Sequence, residues 1–218
     1  MFNVEVFLSA LPVLADAATV TVQLTVAACS ISLFAGLFSV WLQLGGGTLG
    51  NILSRTYVSL MRGTPLYVQL LVIFFGLPML GLRDQAFLAA ALAIGLNSGA
   101  YTTEIFRGAV LAVSPGHIDA ARTVGLTRFT IWRRVVFPQA LITSLPMLAA
   151  EFSIVLKSTP LASVIAVTEM TYAGVLIQAR TFTAAEVFLP LALGYIILAQ
   201  CILRVSHALE NRFLHLRF

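Results

Sequence analysis

The sequence predicts an all-α, polytopic membrane protein with five transmembrane helices, its N-terminus outside and its C-terminus inside. Three observations lead there. Hydrophobic residues fill 59% of the 218 positions and charged residues only 10%, and mean hydropathy is +0.96. A soluble domain carries about 25% charged residues, so this chain lacks the charge to cover a water-facing surface, and lipid suits it better. The apolar residues fall into long runs parted by turn signals, and about 20 such residues cross a bilayer core. The arginines gather on one side of the topology that results. The whole of 1–218 reads as a single transmembrane domain, with no length left for a soluble one.

The first run, 17–44, ends at Gly45-Gly46-Gly47, a strong helix stop. The residues before it, MFNVEVFLSALPVLADA, lack a basic region and carry Glu5 and Asp16, unlike a signal peptide. The second run, 64–80, is short, so Leu49 to Met61 is expected to form a helix leading into it. Pro65 suits a first helical turn, where its missing N–H costs nothing. A tight turn, Gly81-Leu82-Arg83-Asp84, leads to the third run, 85–113, which is interrupted by Asn97, Ser98, Thr102, Thr103 and Glu104. Ser114-Pro115-Gly116 opens the most charged stretch, the loop 114–134, with Asp119, Arg122, Arg128, Arg133 and Arg134. Pro138 opens the fourth run, 138–157, and the fifth spans 184–204. Between them Ser158 to Phe182 is apolar but broken by Thr159, Pro160, Thr168, Glu169 and Thr171. It reads either as a re-entrant, gate-forming segment or as a surface loop with an amphipathic helix. Cys29 and Cys201 lie in apolar runs without metal spacing and are expected as buried free thiols.

Orientation follows from the basic residues. With the C-terminus inside, Arg55, Arg62, Arg107, Arg122, Arg128, Arg133, Arg134, Arg204, Arg212 and Arg217 fall on the inner side. Arg83, Lys157 and Arg180 fall outside, a ratio of ten to three that the positive-inside rule favours over its reverse. The net charge of +4, from 13 basic and 9 acidic side chains, therefore reports orientation. It does not point to a nucleic-acid partner.

The inner loop reads His117-Ile118-Asp119-Ala120-Ala121-Arg122-Thr123-Val124-Gly125-Leu126, then Val135-Val136-Phe137-Pro138-Gln139. Asp119 suits the positive end of a short helix, and Ala120 and Ala121 are small enough for a close partner. Gly125 can take positive φ and end the helix. Leu126, Phe129, Ile131 and Trp132 offer an apolar face between arginines, as in helix-in-groove docking. The alternative is a basic loop lying on anionic lipid.

This segment resembles the coupling motif of binding-protein-dependent ABC importer permeases: EAA, three residues, Gly, nine residues, Ile-x-Leu-Pro. Asp119 stands for Glu, Val135 for Ile and Phe137 for Leu, while Ala120, Ala121, Gly125 and Pro138 match and every spacing is kept. Three more stretches are similar to the polar amino-acid (His/Glu/Gln/Arg/opine) branch: Tyr57-Val58-Ser59-Leu60-Met61-Arg62-Gly63-Thr64-Pro65-Leu66, Leu96 to Gly108, and Lys157-Ser158-Thr159-Pro160-Leu161. Ser158 and Pro160 depart from the family's usual Lys-Asp-Thr-Ser-Leu.

The resemblance covers nearly the whole chain and implies the type I ABC importer permease fold in a bacterial inner membrane. It implies ATPase subunits coupled through Asp119, Ala120, Ala121, Gly125, Leu126, Arg128 and Pro138. It also implies a second permease subunit, identical or paralogous, an extracytoplasmic substrate-binding protein and an amino-acid substrate. GxxxxGK[ST] is absent and Lys157 is the sole lysine. No cofactor is expected on this chain, and ATP and Mg belong to the partner ATPase.

Charge at membrane depth is costly and by default functional. Glu151 lies roughly 20 Å along the helix from Pro138. It can bind the ammonium or cationic side chain of an amino acid, or take a structural hydrogen bond from Asn97, Ser98 or Lys157. Asn97, Ser98 and Tyr101 share a helical face and either line the path or join helices by hydrogen bonds. Glu104 and Arg107, three residues apart, are expected to pair. Glu169 and Gln178 are further candidates for the path. Trp41 and Trp132 fall near inner ends of spans, as an aromatic belt requires. The competing class is an ATP-independent secondary transporter or channel, which often shows inverted repeats. None is visible. No GxSxG, HExxH or His cluster supports an enzyme.

Overall fold

A computed structural model of the chain describes residues 2–82 and 85–213. The expectations for Arg83, Asp84 and Arg217 lie outside the described residues. Nine α-helices occur among the described residues, and no strand.

Helix α1, Val4–Gly45, begins well ahead of position 17. Asn3 caps it, its Oδ1 accepting from the N–H groups of Glu5 and Val6 at 3.1 and 3.3 Å. The early turns pack Ala10, Leu14 and Ala17 on Met170 and Leu191, so tertiary contacts extend the helix past the acidic residues that mask it in the sequence. Further along, Thr21, Thr25, Ala28, Ser32, Gly36 and Ser39 are buried at spacings of three and four. This is a seam of small residues, and it faces α4, Ala86–Leu111. Helices in lipid gain from close backbone approach, which small residues permit. A Cβ on Gly36 would lie 2.5 Å from Thr102 Cγ2, and one on Gly95 2.6 Å from Ile31 Cβ.

Between them α2, Gly47–Gly63, and α3, Leu66–Gly76, form a bent pair, closed by a short 3₁₀ turn at Leu77–Leu80. The bend is 108°. It falls at Thr64-Pro65, where Pro65 precedes the first turn of α3, because the residue before a proline is pushed out of helical geometry.

The charged hairpin follows, with α5 at Pro115–Thr123 and α6 at Arg128–Ile131. A π turn, Trp132–Val136, joins α6 to α7, Phe137–Ser158, and a 3₁₀ stretch continues to Ile165. Arg128–Ile165 is thus one helical run of 38 residues, whereas the sequence suggested a loop to 134 and a span from 138. Thr127 starts the run by accepting from Thr130 N at 3.3 Å. Pro138 has no N–H for Arg134, and the π turn carries the helix past that defect. Helix α8, Met170–Thr181, and α9, Ala185–Phe213, complete the chain. Helices α1, α4, α9 and the α6–α7 run are each long and apolar enough to cross a membrane, and the bent α2–α3 pair passes the same test when its two helices are taken together, as a broken span or a re-entrant loop. Cys29 is half-buried, while Cys201, expected inside, is exposed on α9.

Candidate functional site

Among the described residues two polar clusters inside the bundle involve α4. The first joins α1, α4 and α7. Ser32 Oγ donates to Ser98 Oγ at 3.0 Å, and Ser98 Oγ donates to Glu151 Oε1 at 2.7 Å. Ser32 also meets Thr102 Oγ1 at 2.8 Å. Since Ser32 has already given its proton to Ser98, Thr102 is the donor there. The hydroxyls therefore run in one direction and end on the Glu151 carboxyl group. Glu151 is only 7% exposed. Its second oxygen takes no hydrogen bond from any described residue.

The second cluster surrounds the break between α2 and α3. Breaking a helix in lipid frees carbonyls that other groups must satisfy. Gln69 Nε2 donates to Met61 O at 2.8 Å, Thr64 Oγ1 at 2.7 Å and Thr64 O at 3.2 Å. Asn97 Nδ2 donates to Met61 O at 2.9 Å and to Gln69 Oε1 at 3.1 Å. Beside them the Arg62 guanidinium stands 5.0 Å from the centre of the Tyr101 ring. Tyr57 donates to Leu96 O at 2.6 Å, holding α2 to α4.

Asn97, Ser98 and Tyr101 thus divide: Ser98 turns into the α1–α7 core, while Asn97 and Tyr101 turn to the break. Gln69 is the residue that sequence reasoning missed. Its only signal was a polar side chain inside an apolar run.

Glu169 is fully buried and occupied. As the N-cap of α8 it accepts from Thr171 N and Tyr172 N at 2.9 and 2.7 Å, and from Tyr195 OH at 2.7 Å. Gln178 is half-buried on α8. Glu104 and Arg107 form an ion pair at 2.7 Å.

The charged hairpin is ordered by its glycine. Gly125 takes φ +78°. Its N–H reaches Arg122 O at 2.9 Å and Leu126 N–H reaches Ala121 O at 3.2 Å, which is the Schellman closure of a helix. Leu126 packs beside Ala121 in a small core with Ala109, Val113 and Ile131. Ala121 and Ile131 are therefore taken up within the chain, and Val124, Phe129 and Trp132 form the exposed apolar surface, with Ala120 exposed on α5. Asp119 does not cap α5. Ser114 holds the N-cap position, Pro115 occupies the first turn, and Asp119 pairs with Arg122 at 3.0 Å on the surface. Arg128 opens α6 and Pro138 lies in the first turn of α7.

A bundle of spans with polar chains enclosed between them, and an ordered charged hairpin projecting between two spans, defines the membrane subunit of a transport system. Residues 28–215 match the family described as binding-protein-dependent transport system inner membrane component, and the chain belongs to it. It is 37% identical over 205 residues to the glutamine transport system permease protein GlnP of Escherichia coli (strain K12), covering 93% of this chain and 94% of that one. To the nopaline transport system permease protein NocM of Agrobacterium fabrum it is 34% identical over 197 residues, covering 86% and 82%. In structure it resembles a chain of an amino acid ABC transporter crystallised with histidines, at TM-score 0.89 and 32% identity over 97% of this chain and 99% of that one. The MetNI methionine transporter shares the fold at TM-score 0.77 and 18% identity.

Proposed function

We propose that this chain is the membrane-spanning subunit of an ATP-driven importer for a polar amino acid. It works as one of two permease subunits, with separate ATPase subunits that bind ATP and Mg and with an extracytoplasmic binding protein that delivers substrate. The N-terminus faces out, and the hairpin at 114–134 faces the cytoplasm. The observation that carries the reading is this hairpin. It keeps every spacing of the coupling motif, closes on Gly125 in left-handed geometry and leaves Val124 and Phe129 73% and 74% exposed for a partner. ATPase closure pushes on α5 and is transmitted through the continuous Arg128–Ile165 run to Glu151. The chain's glutamine- and opine-transporting relatives, named above, support an amino-acid substrate.

Within the bundle, Glu151 is assigned to the ammonium or cationic side chain of the substrate, on the support of its free second oxygen. Ser98 orients it. Asn97 and Tyr101 shape the path at the helix break, and Glu169 is reassigned to the cap of α8. The test is Gly125→Asp in the reconstituted complex. A Cβ at Gly125 meets nothing within 4 Å inside the chain, so the variant's internal penalty is only the φ strain, about 1–2 kcal/mol. Transport and ATPase stimulation should both collapse although the chain itself still folds. Survival of both would remove the docking role from the hairpin.

A further inference from the structure

A cavity of about 590 Å³ lies between the end of α1 and the α6–α7 run. Its floor is apolar, with Val40, Phe106 and Ala140 all buried. Arg128 and Arg133 line it, as do Trp41 and Trp132, which are 61% and 41% exposed. Among the described residues the ion pairs are Glu104–Arg107 and Asp119–Arg122, so both arginines of the cavity have no carboxylate partner. A volume of this size falls within the range of ligand sites, about 300–1,000 Å³.

We infer that this cavity is a binding site for one anionic phospholipid, with an acyl chain on the apolar floor and the phosphate on Arg128 and Arg133. The composition argues for that occupant. An apolar interior beside two unpaired guanidinium groups matches a molecule with an apolar tail and a charged head, and basic pockets between membrane helices bind such headgroups. Tryptophan prefers the same interfacial depth. The bound lipid would bridge α1 to the run that leads away from the hairpin, so the surrounding membrane gains a hold on that run. This inference does not depend on the amino-acid reading.

The chain's two tryptophans both line the cavity, so their emission reports on it. The full chain is reconstituted in phosphatidylcholine vesicles with a small fraction of either brominated phosphatidylglycerol or brominated phosphatidylethanolamine carrying the same acyl chains. Brominated phosphatidylglycerol should quench at a mole fraction about thirtyfold lower, the scale that two surface arginines supply. Arg128→Gln combined with Arg133→Gln should abolish the preference. Arg134→Gln, exposed and outside the cavity lining, should keep it. Equal quenching by the two lipids in the unaltered chain overturns the proposal. So does a preference that survives the double substitution, or one that Arg134→Gln removes equally, which would mean a diffuse basic surface. Loss of quenching when ATPase subunits bind would give the cavity to that partner and also overturn it.

Discussion

Glu151 and Glu169 are both buried carboxylates, yet their surroundings assign them opposite work. Glu169 is saturated by two backbone N–H groups and a tyrosine hydroxyl, as a helix cap should be. Glu169→Ala should cost about 0.5–2 kcal/mol of stability, seen as a lower Tm in detergent, with the KM for uptake unchanged in the molecules that fold. A shifted KM would return Glu169 to the path. Among the described residues Glu151 accepts from Ser98 alone, and its second oxygen accepts no hydrogen bond. Glu151→Gln retains the shape and an acceptor for Ser98 but removes the charge. Hydrogen bonds to charged groups contribute about 1.5–3 kcal/mol, so the KM for a cationic or zwitterionic amino acid should rise roughly ten- to a hundredfold. Assembly with partner subunits should persist. Unchanged uptake kinetics would take Glu151 out of the site. The sequence singles out Glu151 by its depth and Glu169 by the broken segment 158–182 around it but cannot separate their roles, because the difference lies in partners brought from α1, α4 and α9.

Two devices decide the geometry of the elements. The seam between α1 and α4 leaves no room for a side chain at Gly36. Gly36→Leu should therefore separate the helices or strain Thr102, at about 1–3 kcal/mol or more, measurable as a lowered Tm and loss of the monodisperse peak in size exclusion. A variant as stable as the parent would contradict the close packing. The second device is the α2–α3 break, whose freed carbonyls rest on Gln69 and Asn97. Gln69→Leu keeps the bulk but strips donors from Met61, whose carbonyl keeps Asn97, and from Thr64, which is exposed, so it should cost about 0.5–1.5 kcal/mol for the lost hydrogen bonding. Increased proteolysis or hydrogen exchange at 61–69 would show it, and unaltered protection there would dismiss the role. The break itself was legible, since Gly63-Thr64-Pro65 interrupts the helical pattern and a helix leading into it was expected. Gln69 was not, because its meaning depends on where the bend brings Met61. The early turns of α1 were also hidden, as Glu5 and Asp16 argue locally against a span while packing on α8 and α9 overrides them.

For the whole molecule, composition sufficed to read an all-helical, multi-spanning fold, because a chain with so few charges has no soluble alternative. The charged hairpin proposed to dock the ATPase was singled out in the sequence through fixed spacings. Its internal packing was not, so Ala121 and Ile131 serve the hairpin's own core and leave Val124 and Phe129 outward. The continuous run from Arg128 to Ile165 then gives a stiff connection between that surface and Glu151. Such a lever is useful only if something pulls on it, and this chain contains no nucleotide-binding loop. The most direct measurement is to tag the chain in its native host, purify it in mild detergent and identify what accompanies it by mass spectrometry. The account predicts a P-loop ATPase in the complex and its loss from the Gly125→Asp variant. Recovery of the unaltered chain alone, from a preparation that preserves other membrane complexes, would contradict it.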